Sequence, residues 1–265
     1  MNVPYTNEEL NRALDFINER LVLQRASTSN LNNALYKAAL AILLLSRKYK
    51  INPKYFKFSL HKNFKKEVDK IIANLAKQII DDTISLATFD VEEDDEEDII
   101  LPIFKEDIND NTFEEKIEDY TERFRNEMEV ITASSFLLNK TPQNAANELK
   151  TLLPIIYGSS FMKIAKIESL ASFEDLKTNY GVGKYTTSYN NLNRLVTDTI
   201  ARSRQRLFIN RENKNGANAW YVQRGSSYPC SLCESNVGIH YNSFDLPPYH
   251  PNCVCMAIPL NTKQI

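Results

Sequence analysis

The stretch CSLCESNVGIHYNSFDLPPYHPNCVC, residues 230–255, holds all four cysteines of the chain and two of its three histidines. Cys230 and Cys233 stand at C-x2-C spacing, which sets two thiolates on one turn, close enough to share a cation. His250, Cys253 and Cys255 follow about twenty residues later and close a loop around the same point. Zinc takes four nitrogen or sulfur ligands tetrahedrally, and this spacing matches a two-knuckle structural site. The candidate ligands are Cys230, Cys233, His250, Cys253 and Cys255, one more than a tetrahedron needs. The reading is Cys230 and Cys233 with two or more of the other three. A spacing of two points the Cys253 and Cys255 side chains the same way on an extended segment. His250 then either supports the ligands from outside or replaces one of them. A four-ligand site keeps no open position for substrate, so the expected role of zinc is to staple a patch too small to build its own core.

Just upstream, a long helix is predicted over about 187–212, with Leu192, Leu195, Val196, Ile200 and Leu207 inward. Arg194, Arg202, Arg204, Arg206 and Arg211 ride on it and are the candidate nucleic-acid-binding residues. Salt bridges to Glu212 or to an acidic stretch are the competing use for half or more of them. Gly181 and Gly183 mark the turn before this helix, and Trp220 beyond it reads as core between helix and zinc lobe. Toward the N-terminus the pattern is helical. Thr6-Asn-Glu-Glu9 is a capping box, followed by an apolar stripe of Leu10, Leu14, Ile17 and Leu21. A second helix is expected to begin near Ser29 or Asn30 and to carry Leu31, Leu35, Ala38 and Ile42. A third runs over roughly 61–88, others from about Thr112 to Leu138 and from Thr141-Pro142 to Leu153, with shorter pieces near 159–172.

A net charge of −2 conceals strong local imbalance. Ten cations against Glu67 and Asp69 give +8 between Arg47 and Lys77, interleaved with Tyr49, Tyr55, Phe56, Phe58 and Phe64. Such a stretch either binds nucleic acid by phosphate contact and stacking or is a solvated helical face whose aromatics are core. Residues 90–120 carry fifteen acids against Lys105 and Lys116, a net of −13. A block of like charge repels itself and lacks apolar area to offset ordering, so an extended or disordered linker is expected over 90–111. It could also dock on a basic partner.

The composition, 43% hydrophobic and 25% charged, is that of an ordinary globular protein. The longest apolar run, residues 38–45, is far below the ~20 residues of a membrane helix, so no membrane association is expected. No secretory signal is visible in Met-Asn-Val-Pro-Tyr-Thr, which favours a reducing compartment where close-set thiols hold metal rather than form disulfides. Six glycines, with no phosphate-cradling loop motif, argue against nucleotide-binding folds.

An arginine-bearing helix, a Trp220-containing segment, Cys230 and Cys233, Gly238, and Pro247-Pro248-x-His250-Pro251-Asn252-Cys253-x-Cys255 together resemble the phage head morphogenesis family, the minor head proteins of the Mu protein F type. Arg202 belongs to the same pattern, which covers about residues 190–260. Two positions depart from it: Ser227-Tyr228 stands where the family has an Asp, and Val254 where it has an Arg. The second difference removes a charge that would contact nucleic acid or a partner. The resemblance implies a virion component inside the capsid or near the portal, present in the host cytoplasm before assembly. It also implies partnership with the portal protein, other head proteins and double-stranded DNA in packaging or ejection.

Two rivals differ in class. One is an HNH-like nuclease or toxin using His240, Asp245, His250 and Asn252 around a metal-bound water, though Pro247, Pro248 and Pro251 disfavour the helix it needs. The other is a host zinc-binding adaptor. The resulting expectation is a mainly α, non-enzymatic protein: a helical N-terminal region (1–89), an acidic linker (90–111), a helical middle (112–183) and a small α+β zinc-stapled lobe (184–265).

Overall fold

The structure is a computed structural model that describes residues 4–107, 110–178, 183–250 and 252–261. Gly181 and Pro251, both used in the sequence reading, lie outside the described residues. The fold is mainly α with a small three-stranded sheet near the C-terminus, as expected.

Helix α1 (Asn7–Ser46) is continuous where two helices were expected. The polar run Ser27-Thr28-Ser29-Asn30 offers capping side chains but no Gly or Pro, and the Thr28 hydroxyl is spent on Asn193 at 2.8 Å instead of on a helix end. Without a capping bond to reward a break, the helix continues. Its buried face is Ala13, Ile17, Arg20, Leu23, Ser27 and Leu31, while Leu14 is exposed. The apolar stripe was therefore displaced by about one residue.

Helix α2 (Lys62–Ala87) follows two 3-10 turns. The acidic stretch then folds, against expectation, as α3 (Glu93–Asp95), a π turn (Glu96–Ile100) and α4 (Leu101–Lys105). Ile100, Ile103 and Phe104 are buried there, and the buried Asp95 pairs with Arg211 and Lys214. Apolar area and counter-charge offset the self-repulsion that favoured an extended chain. Beyond it come α5 (Phe113–Leu137), with a full Thr112/Glu115 capping box, and α6 (Pro142–Leu152), capped by Thr141. α7 (Ser160–Ile167), α8 (Ala171–Thr178) and the long α9 (Ser188–Lys214) complete the helical part. Strand β1 (Ala219–Gln223), the short α10 (Ser231–Ser235), β2 (Gly238–His240) and β3 (Met256–Leu260) follow.

The chain forms two compact units, each assembled from separate stretches rather than from the contiguous regions expected. The first comprises Met1–Ser27, Thr83–Glu106 and Arg194–Ile265. Its sheet has the order β2-β1-β3, all antiparallel, with Trp220 opposite His240 on one side and Pro259 on the other. The core joins α1 to α9 and the sheet: Phe16 stacks on Phe208 at 4.3 Å, and Phe208 meets Trp220 edge-on at 6.0 Å. Trp220 thus packs the lobe on the long helix as read.

The second unit, Thr28–Asp82 with Asp107–Asn193, buries Phe56, Phe58, Phe64, Phe113, Phe124 and Phe161. Phe58 and Phe64 meet edge-on at 5.3 Å, and Tyr49 stacks on Phe64. Three of the aromatics interleaved with lysine are therefore core and not a stacking platform for bases.

Candidate metal centre

The cluster is built by three local devices. Cys230 is the N-cap of α10, and its sulfur accepts the Cys233 backbone N–H at 3.4 Å. That bond folds C-x2-C into one turn with both sulfurs on the same side. Asn252 takes a left-handed conformation (φ 64°), which Asn tolerates better than most residues, beside a turn closed by the Cys253 N–H on the His250 carbonyl. The chain then straightens into β3, whose register on β1 (Gln223 opposite Met256) carries Cys255 to the strand's start. Gly225 lies just beyond β1 and donates its N–H toward the Cys255 sulfur. A Cβ on Gly225 would stand 1.8 Å from the Val254 carbonyl oxygen, so only glycine lets the two segments approach this closely.

His250 Nε2 lies 3.3 Å from the Cys230 sulfur and 3.1 Å from that of Cys233, and the Cys233 and Cys253 sulfurs are 4.0 Å apart. Two trios have their donor atoms mutually within 4.8 Å: Cys230, Cys233 and His250, and Cys233, Cys253 and Cys255. Cys233 is common to both. A tetrahedral site with metal–sulfur and metal–nitrogen bonds of ordinary length separates two sulfurs by about 3.8 Å and a sulfur from a nitrogen by about 3.5 Å. The separations around Cys233 are compatible with a metal ion held by this cluster, and His250 stands among the donors rather than outside them. All five expected ligands are brought together.

Electrostatics agree with a cation at this place. Burial and its neighbouring sulfurs push the Cys233 thiol well up, and burial together with Cys253 raises Cys255. The Cys233 amide lowers Cys230. Three sulfurs are buried together, where their ionised forms would repel one another, whereas a bound divalent ion deprotonates coordinating thiols outright. Tyr249 packs on the cluster, and burial beside the sulfurs raises its hydroxyl too.

Sequence reasoning passed over one participant. Arg20, fully buried on α1, donates from Nη2 to the Cys253 carbonyl at 2.9 Å. Burial pulls its guanidinium below the ordinary value, opposed by Cys253 and Cys255. The signal lay in the spacing of Ala13, Ile17, Arg20 and Ser27, where a charged residue occupies an inward position.

The arginines of α9 do not form one stripe. At about 100° per residue, Arg202 and Arg206 share one side while Arg204 and Arg211 share another. Arg204 is buried, with its guanidinium on Glu19 and, at 2.8 Å, on the Phe89 carbonyl, so it cannot reach DNA and is withdrawn as a candidate. Arg202 pairs with Asp198, Arg206 with Glu106 through both carboxylate oxygens, and Arg211 with Asp95. Arg194 also has a partner. The competing reading, ion pairs to the acidic stretch, describes Arg206 and Arg211.

Of the residues named for the nuclease reading, His240 lies on β2 with its ring on the Asn236 carbonyl at 2.8 Å, and Asp245 sits in a 3-10 turn. Neither joins a metal-ligating trio among the described residues. No described helix is long and apolar enough to cross a membrane. No family model, curated protein or solved structure matches the chain.

Proposed function

We propose that this chain is a structural component of a phage head, a minor head protein whose C-terminal lobe is stapled by one zinc ion. The observation that carries the reading is the gathering of the motif residues Cys230, Cys233, His250, Cys253 and Cys255 into one cluster. Zinc is the metal that this mixed thiolate and imidazole set favours, because four soft donors in a closed cage suit a d10 ion with no demand for further ligands. Its contribution is folding energy: it fixes the turn at α10, the Pro247-Pro248 loop and the start of β3, a segment with little apolar core of its own.

Portal and head-protein association follows from the resemblance. Contact with double-stranded DNA is assigned to the exposed lysines of the second unit, Lys48, Lys50, Lys54, Lys62, Lys66, Lys70 and Lys77, because α9's arginines are engaged within the chain. Co-purification with the portal protein of the same phage tests the reading. Portal binding without divalent-dependent DNA cleavage supports it. Cleavage that disappears on His250→Ala while zinc is retained would assign the chain to the nucleases instead.

A further inference from the structure

Arg20 is an anomaly of charge. It is fully buried, yet no carboxylate pairs with it among the described residues, and its Nε and Nη1 have no hydrogen-bond partner. The Phe16 ring lies 5.8 Å from the guanidinium carbon and offers only a weak complement. A buried, uncompensated guanidinium is costly, which folded proteins avoid by supplying an opposite charge. The groups it faces are the cysteines at the start of β3, through the Cys253 carbonyl and the sulfurs of Cys253 and Cys255. A neutral thiol would supply no counter-charge to the Arg20 guanidinium, whose Nε and Nη1 are already without a partner. A divalent ion held by three thiolates and one imidazole carries a net charge of −1, and by four thiolates −2. Either state supplies what the guanidinium lacks.

We infer that Arg20 is the counter-charge of the thiolate–metal centre, so that metal binding and the docking of the N-terminal part of α1 on the lobe stabilise each other. The inference rests on the metal reading above. Its physical content is a reciprocal coupling: whatever Arg20 adds to metal affinity, the metal returns as stability to the helix that carries Arg20. Arg20 is a positioning residue, acting on the metal through the ligands' charge.

The test compares the full chain with Arg20→Gln, whose amide can still donate to the Cys253 carbonyl but carries no charge, and Arg20→Lys, which keeps the charge. Zinc affinity is measured by competition with a chromophoric chelator, and thermal unfolding is followed with and without zinc. Arg20→Gln should bind zinc about 10- to 100-fold more weakly, the range seen when outer partners of a metal site are removed. Its metal-free form should melt no lower than the metal-free wild type, since a buried uncompensated charge has been removed, while the rise in melting temperature on adding zinc shrinks. Arg20→Lys should recover part of the affinity.

Equal zinc affinity in Arg20→Gln and wild type overturns the inference, as does an equal loss of stability with and without zinc, the mark of a purely structural arginine. If Arg20→Gln does not fold, Arg20→Lys carries the test, and loss of zinc there as complete as on removing Cys233 overturns the inference. A wild-type chain that binds no zinc removes the metal reading itself, a result distinguishable because it appears before any variant is made.

Discussion

Glu127 sits on α5, 1% exposed, and collects the Ser188 backbone N–H at 3.0 Å, the Ser188 hydroxyl at 2.5 Å and the Tyr157 hydroxyl at 3.4 Å. It thereby holds the first residue of α9. Desolvation raises its carboxyl from 4.5 to about 7 despite those bonds and the Arg123 guanidinium 3.9 Å away. A raised carboxyl binds its proton more tightly in the folded chain than in the unfolded one. Stability from this group is therefore full below pH ~4.5, falls as pH rises, and is lost above pH ~7, by roughly 3 kcal/mol in all. Glu127→Gln mimics the protonated form: its carbonyl can accept from the Ser188 N–H and its amide can donate to the Ser188 hydroxyl. Urea unfolding of both proteins at pH 5, 6, 7 and 8 isolates the group, because every other titration cancels in the difference. The stability of Glu127→Gln relative to wild type should rise across that series by about 2–3 kcal/mol. The competing effect is Arg123, for breaking a buried ion pair leaves a charge exposed to low dielectric. A difference independent of pH, or a variant that loses ground as pH rises, would show that the ion pair outweighs desolvation and refute the reasoning.

Other expectations concern the first unit. Cys233→Ser breaks both trios and should weaken metal binding most, measured by chelator competition, whereas Cys255→Ser leaves the Cys230, Cys233 and His250 trio intact and should weaken it less. Gly225→Ala drives a methyl into the Val254 carbonyl. It should lower stability by about 1–3 kcal/mol and weaken zinc binding, visible in thermal melts and the same competition. Asp95→Asn strands Arg211 and Lys214, 3.5 and 3.0 Å away. Because both cations are partly exposed, the cost should be about 1–2 kcal/mol in urea unfolding, and a neutral outcome would mean that apolar burial alone folds the acidic stretch.

The parts legible in the sequence were those with local rules. The capping box at Thr6, the Thr141-Pro142 start and the cysteine spacing each name their structure through contacts only a few residues apart. The hidden parts depend on partners distant in the chain. Residues 90–98 look unfoldable alone, because Arg211 and Lys214 are more than a hundred positions away. The continuity of α1 turns on a side chain at Asn193. Arg20 reads as a surface residue until Cys253, 233 positions on, is seen beside it. The arginines of α9 differ in helical angle, and the burial of Arg204 depends on Glu19 and the Phe89 carbonyl, more than a hundred positions away.

The central claim is that residues 230–255 close around one metal ion, and elemental analysis of purified, unchelated full-length protein tests it most directly. The account predicts about one zinc per chain, with the four thiols unreactive to a thiol reagent until a strong chelator is added. Protein that is folded, free of metal and freely titratable at all four cysteines would contradict it.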